Sequence, residues 1–253
     1  MMRITIITVC FNEEKNIART IDSVLDQTMC DFEYIICDGK SSDKTLEIVE
    51  SYRDKFAEKG VDYRVYSERD GGVYFGMNNG IDRATGDYII FTNGGDSLAS
   101  ENVLQEVSDY LHKQDVKPDV VYGSFNYIEG DVTQTREGDH ELLIERMSVP
   151  HPASFCSADS LKKYKFNTEY RIGADYDFML NVYLNGGVFV KIPTIVSNFV
   201  VGGISTEDHK KSLNEERRIL KSHGVKFSKI QFLIRGLKID CFRLLSRLKK
   251  AIK

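Results

Sequence analysis

At 253 residues, with 42% hydrophobic and 28% charged side chains, the chain is long enough for one large domain and too apolar for wholesale disorder. A formal net charge of -4 and a pI near 5.8 argue against a nucleic-acid binder. Cys10, Cys30, Cys37, Cys156 and Cys241 are odd in number and form no CxxC pair, which suits neither a zinc site nor a disulfide framework and leaves buried free thiols in a reducing compartment.

The apolar run Ile4 to Val9 is too short for a signal-peptide core, and no stretch approaches the ~20 apolar residues that span a bilayer. The expected location is therefore the cytoplasm. Arg3 to Cys10, rich in Ile, Val and Thr, reads as a buried strand. A polar turn comes next, and Ile17, Ile21, Val24 and Leu25 then recur at helical spacing. Phe32 to Cys37 is a second strand ending at Asp38 and Gly39. Ser41, Ser42 and Asp43 next offer N-cap side chains to a helix through Leu46, Ile48 and Val49. Tyr63 to Ser67 is a third strand, Val73 to Ala84 a helix, and Tyr88 to Thr92 a fourth strand that runs into Asn93, Gly94, Gly95 and Asp96.

This alternation predicts a mostly parallel sheet covered on both faces, an α/β fold in which ligands gather beyond the carboxyl ends of the strands. The polar residues at those ends are Asn12 with Glu13, Asp38, Asp70, and Asn93 with Asp96. Beyond Asp96 the pattern loosens: a helix over Val103 to His112, a strand at Val120 to Tyr122, polar strands and loops from Gly123 to Ser148, a helix from Asp175 to Leu184, and a strand from Val188 to Ile192. There is no internal repeat and no low-complexity linker.

Three runs at the start carry a resemblance: Thr8 to Glu13, Asp22 to Thr28, and Tyr34 through Asp38 and Asp43 to Thr45. Ser67 to Ile81, containing Asp70, Tyr74, Asn78 and Gly80, and Ala84 to Ile89 continue it. Together they resemble family 2 glycosyltransferases, inverting enzymes with the GT-A fold, closely over residues 3–98 and more thinly to about 206. The resemblance implies a GT-A-like domain over residues 1–225, with a nucleotide-sugar-binding half at 1–98 and an acceptor and catalytic half at 99–225. It implies transfer of a hexosyl or N-acetylhexosaminyl group from a nucleotide-diphosphate sugar, a UDP-sugar first, to a hydroxyl of a surface polysaccharide or lipid-linked oligosaccharide. It places Asp38 and Asp70 on the base and ribose, with Glu13 or Glu14 adding to the ribose contacts, and Thr8, Phe11, Asn12, Asn78, Asn93 and Asp96 on the donor.

The family usually carries several Asp residues after the fourth strand to hold Mg or Mn on the diphosphate; here Asp96 is the only carboxylate and Gly95 stands where a second Asp is frequent. One carboxylate still suffices when phosphate oxygens complete the shell. Otherwise the segment is a glycine turn with Asp96 as a helix cap for Leu98 onward. By the same resemblance Asp175 takes the place of the catalytic base, with Asp177 as the fallback, and His151 lies in an acceptor-side loop. An inverting transfer needs one such carboxylate to take the acceptor proton. Asp175 also suits the N-cap of its helix, and the two roles are compatible. Gly202, Gly203 and Ser205 resemble a loop that closes over the diphosphate.

The rival readings are a nucleotide-sugar-binding regulatory module without turnover, motivated by the reduced Asp set, and a dinucleotide-dependent oxidoreductase. The oxidoreductase requires a GxGxxG turn that the first strand lacks. Residues 226–253 hold six Lys and three Arg against one Asp, a local +8 that leaves -12 for residues 1–225. Apolar residues recur there at helical spacing from Ile230 to Ile252. Such a basic amphipathic helix either rests on the inner face of the cytoplasmic membrane or packs on the domain or on a second copy in a homo-oligomer.

Overall fold

The computed structural model of the protein describes residues 2–202 and 209–226. Among the described residues nine strands form one mixed sheet. They are β1 (Ile4–Cys10), β2 (Phe32–Asp38), β3 (Asp62–Ser67), β4 (Tyr88–Phe91), β5 (Ser97–Leu98), β6 (Val120–Glu129), β7 (Val132–Arg136), β8 (Ser154–Ser157) and β9 (Phe189–Val200). Their order is β3-β2-β1-β4-β8-β6-β9-β5, with β7 paired to β6. The first four strands are parallel, as the alternating pattern predicts. In the second half only β6 and β9 run parallel; β8 is antiparallel to both β4 and β6, and β5 is antiparallel to β9.

Alternation along β1 explains the two-faced core. Ile7 and Val9 point to one face with Ile35 and Cys37 of β2, and there meet Met77 and Ile81 of α4 (Val73–Arg83) and the helix α7 (Ala174–Leu184). Ile4 and Ile6 point to the other face with Tyr34 and Ile36. There they meet α1 (Ile17–Leu25), α3 (Arg53–Lys59), which follows α2 (Thr45–Glu50), and α5 (Val103–Leu111). The helix α6 (Ala158–Tyr164) packs with α4 and α7, and α8 (His209–Ser222) completes the described chain, seating Ile219 and Leu220 in the first cluster.

The starting ends of the parallel strands are tied together. Buried Glu33 pairs with Arg64 and accepts hydrogen bonds from Thr5 Oγ1 (2.6 Å), Thr85 N (2.9 Å) and Thr85 Oγ1 (2.9 Å). A buried carboxylate is tolerated only when so fully partnered. The opposite, carboxyl ends are left open. In the second half, register shifts between β6 and β9 around Ser124 bend that part of the sheet, so that Phe125, Tyr127 and Phe199 face the same opening.

Several elements depart from the sequence reading. The segment after Asp43 makes two short helices, and α2 has Lys44 at its N-cap with no capping side chain. Asp43 instead accepts from Thr45 N (3.0 Å), Thr45 Oγ1 (2.6 Å) and Glu14 N (3.1 Å), joining the loops after β1 and β2. The strand over 188–192 extends to Val200, and α6 and α8 form where the sequence pattern predicts no element. Among the described cysteines Cys10, Cys37 and Cys156 are buried free thiols and Cys30 is an exposed one. The basic amphipathic stretch expected over 226–253 lies outside the described residues beyond Lys226.

Candidate functional site

The open ends of the parallel strands frame a cleft of about 1360 Å³. Each parallel strand contributes the loop at its carboxyl end. Phe11 and Glu13 come from β1, Gly39, Lys40 and Ser42 from β2, Arg69 and Asp70 from β3, and Asn93 to Asp96 from β4. The opposite wall comes from the second half: Tyr127 on β6, Arg136 on β7, His151, Asp175, and Phe199 to Gly202 at the end of β9 and just beyond it. Asp70, Asp96 and Asp175 therefore share one cleft.

Phe11 is 60% exposed on this wall, unusual for a large apolar ring in a strand-end loop and suited to stacking on a flat ligand. Asp70 leaves its Oδ2 close to α4, because Gly76 has no side chain: a Cβ there would lie 2.7 Å from Val9 Cγ1 and 2.9 Å from Asp70 Oδ2. Its Oδ1 accepts from Gly72 N at 3.0 Å, fixing the turn that starts α4. Asp96 is only 6% exposed, and its Oδ1 accepts from Val200 N at 3.3 Å. Burial pushes its carboxyl up to about 7, against the smaller opposing pulls of that hydrogen bond and of Arg19. Beside it Asn93 Oδ1 is buried with no hydrogen-bond partner among the described residues. Among the described residues no group of three or more His, Cys, Asp and Glu side chains forms a metal cluster.

Asp175 sits in the first turn of α7. Its Oδ1 accepts from Tyr74 Oη (3.0 Å) and from Tyr176 N (2.9 Å), while Oδ2 has no partner among the described residues. Both bonds fall on one oxygen, so the other is available to accept a proton. His151 is buried, stacked on Phe91 (5.3 Å between centroids) and edge-on to Phe166, and its Nε2 has no partner among the described residues. Burial pushes its pKa down, with Asp175 pulling the other way, so the ring is held neutral.

Several residues expected at the site lie off the cleft wall. Thr8 is fully buried, donating to Thr92 O (2.7 Å) and bonded to Tyr34 Oη (3.0 Å), so it stabilises the sheet core. Asp38 is 2% exposed; its Oδ2 accepts from Ser67 Oγ at 2.6 Å and its Oδ1 from Ser41 Oγ, so the carboxylate shapes the loop behind Gly39. Asn12, at φ 54°, bonds Ser41 and Ser42 rather than facing the cavity. Asn78 is engaged with the Phe166 backbone in both directions, at 2.8 and 2.9 Å. Asp177 is turned into the protein, where His223 Nε2 donates to its Oδ1 at 2.8 Å, which leaves Asp175 as the candidate base. In each case the local backbone or a neighbouring side chain has first use of a short polar group whose charge or amide suggests a ligand.

Other lining residues carry no expectation from the sequence. Arg19 donates to Gly95 O and so braces the Asp96 turn. Arg69, Arg136, Arg146 and Arg171 line the cleft with no carboxylate ion pair among the described residues. Arg136 lies over the Tyr127 ring, 3.4 Å from its centroid, and Phe199 stacks on the same ring. The alternation Phe125, Tyr127 is a usable signal for that face; the arginines carry none. Gly203 and Ser205 fall outside the described residues, while Gly202 lines the cleft.

The profile of the family described as "Glycosyl transferase family 2" matches residues 5–190. A PGL/p-HBAD biosynthesis glycosyltransferase of Mycobacterium bovis is 29% identical over 188 residues, covering 73% of this chain and 72% of its own. A poly(ribitol-phosphate) beta-glucosyltransferase of Bacillus spizizenii is 29% identical over 193 residues, 72% of this chain but 30% of its own length. Among solved structures, S. aureus TarS 1-349 in complex with UDP-GlcNAc superposes with a TM-score of 0.72 at 18% identity, covering 91% of this chain and 69% of TarS 1-349. The mannosyltransferase PcManGT from Pyrobaculum calidifontis, in complex with GDP-Man and Mn2+, does so with 0.66 at 15% identity, covering 90% and 65%.

Proposed function

The chain belongs to glycosyl transferase family 2, and from that premise we propose that its cleft carries out an inverting transfer from a nucleotide-diphosphate sugar, a UDP-sugar first, to an acceptor hydroxyl. The observation that carries the proposal is Asp175, facing Asp70 and Asp96 across one cleft with a single oxygen left without a partner among the described residues. Phe11 offers a ring for the base, and Asp70 accepts hydrogen bonds from ribose hydroxyls. Lys40 and Arg69 offset diphosphate charge from the rim.

The Asp96 carboxylate and the unpartnered Asn93 amide oxygen fit a Mg or Mn ion as hard oxygen ligands, with phosphate oxygens completing its shell. Such an ion supplies charge neutralisation at the departing nucleoside diphosphate. Asp175 Oδ2 takes the acceptor proton as the hydroxyl oxygen attacks the anomeric carbon. The bond to the diphosphate breaks on the opposite face, and no covalent enzyme intermediate is needed. Neutral His151 beside Asp175 adds a polar contact for the acceptor side.

The acceptor we propose is a growing surface polysaccharide or lipid-linked oligosaccharide, in keeping with the names of the relatives. No helix among the described residues is long and apolar enough to cross a membrane. We place the enzyme in the cytoplasm, with the basic stretch 226–253 resting on the inner membrane surface. Deleting that stretch should abolish co-sedimentation with anionic vesicles; unchanged binding discards this part.

Release of UDP or GDP from a panel of nucleotide sugars with Mn tests the activity, with Asp175→Asn as the control. Release at background for every donor and acceptor supports the binding-module reading instead.

A further inference from the structure

The helix that carries Asp175 begins without a cap of its own. Gly173 occupies its N-cap position and supplies no side chain. A helix start leaves backbone N–H groups without intrahelical partners, and they must be satisfied from elsewhere. Here the N–H of Gly173 and the two just before it find their partner on a different helix, 42 to 44 residues further along the chain. Glu215 of α8 accepts from Arg171 N through Oε1 (3.0 Å), and from Ile172 N (2.8 Å) and Gly173 N (2.9 Å) through Oε2. Three successive N–H groups thus converge on one carboxylate at the positive end of α7, an arrangement of charge-assisted bonds.

The rest of α8 fastens the same segment. Ile219 Cδ1 packs close against Gly173: a Cβ on residue 173 would lie 2.9 Å from it and would have to push that methyl aside. Ser222 Oγ is bonded to Tyr170 Oη at 3.3 Å, and His223 holds Asp177 from just beyond the helix. From the opposite side Tyr74 Oη on α4 reaches Ile172 O (2.5 Å) and Asp175 Oδ1 (3.0 Å). The segment 171–175 is therefore held by its N–H groups from α8 and by its carbonyl and carboxylate from α4.

We propose that Glu215 is a positioning residue for the transfer reaction: through the backbone of 171–173, and with Tyr74 as its counterpart, it sets where Asp175 Oδ2 stands relative to the acceptor hydroxyl. The proposal rests on the reading of Asp175 as the base. Glu215 is not on the cleft wall and touches no reacting atom. A displacement of the base by about 1 Å costs on the order of 100-fold in rate while leaving donor contacts alone.

The test is a double-mutant cycle in the full chain, reading nucleoside-diphosphate release from the nucleotide sugar that turns over. Glu215→Ala should lower kcat about 10- to 100-fold with donor KM unchanged, and Glu215→Gln, which keeps one accepting oxygen, should recover part of it. In an Asp175→Asn background Glu215→Ala should remove little further rate, because both changes disable the same group. If Glu215→Ala does not fold, Glu215→Gln alone and in the Asp175→Asn background gives the same cycle. Full kcat in the Glu215 variants, or equal losses with and without Asp175, overturns the positioning role alone. Full kcat in Asp175→Asn overturns the base assignment and the positioning role with it.

Discussion

The two walls of the cleft are built by different means. The wall we assign to the donor grows from four parallel strand ends whose loops follow each strand directly, so position in the sheet and position at the site are nearly the same thing. On the wall we assign to the acceptor the sheet is mixed, and the proposed base, Asp175, is placed by side chains far from it in sequence, Tyr74 well before it and Glu215 well after it. A wall of the first kind tolerates variation in its loops while the strands stay paired. One of the second kind depends on a few long-range bonds, and catalytic geometry is correspondingly more easily lost there.

The largest effect should fall on the acceptor wall. Asp175→Asn keeps the shape and the Oδ1 bonds but removes the accepting charge, and should lower kcat about 100- to 10,000-fold with donor affinity unchanged. Steady-state kinetics beside donor titration checks both halves of that statement. A parallel loss of donor binding breaks the distinction between the walls.

The difference in construction also decides what is legible in the sequence. Apolar runs such as Ile4 to Val9 and Phe32 to Cys37 announce buried parallel strands, and the loop after each falls at the cleft because parallel strands share a polarity. Phe11, Asp70 and Asp96 are legible for that reason. Whether a side chain in such a loop faces ligand or backbone is not legible: Asp38 and Asp70 both precede glycine, yet Ser67 and Ser41 engage the first. Asp175 and His151 stand out only through family resemblance, since nothing in local spacing separates a base from a helix cap. Glu215 is invisible, because its partners are backbone groups that carry no residue-type signal.

A smaller effect belongs to the donor wall, where the burial of Asp96 opposes the ligand role we propose for it. Burial holds its carboxyl at about 7, above the ordinary value, so the folded state favours the protonated form. The contribution of Asp96 to stability is fully present below about pH 4 and is lost as pH rises through about 7. The interval corresponds to up to about 4 kcal/mol at ~1.4 kcal/mol per pH unit. Asp96→Asn should therefore melt above the parent at pH 8 without metal or donor, and level with it near pH 4. With Mn and nucleotide sugar the parent should gain melting temperature and the variant should not. Thermal melts across pH, with and without ligand, check the pattern; a variant that gains equally from Mn and donor removes Asp96 from that role.

The smallest effect on activity should come from a residue that joins the walls. Asn78 sits on α4, in a run that resembles a donor-binding motif, yet its amide both donates to Phe166 O and accepts from Phe166 N, tying α4 to the segment that leads to α7. Asn78→Ala leaves that N–H and C=O without partners in a part-buried place, a cost of about 1–3 kcal/mol. Denaturant titration should show that loss while donor KM stays within about twofold of the parent. A donor KM raised tenfold or more at unchanged stability would instead make Asn78 a ligand contact, and the donor wall would then extend along α4 past the strand ends that otherwise define it.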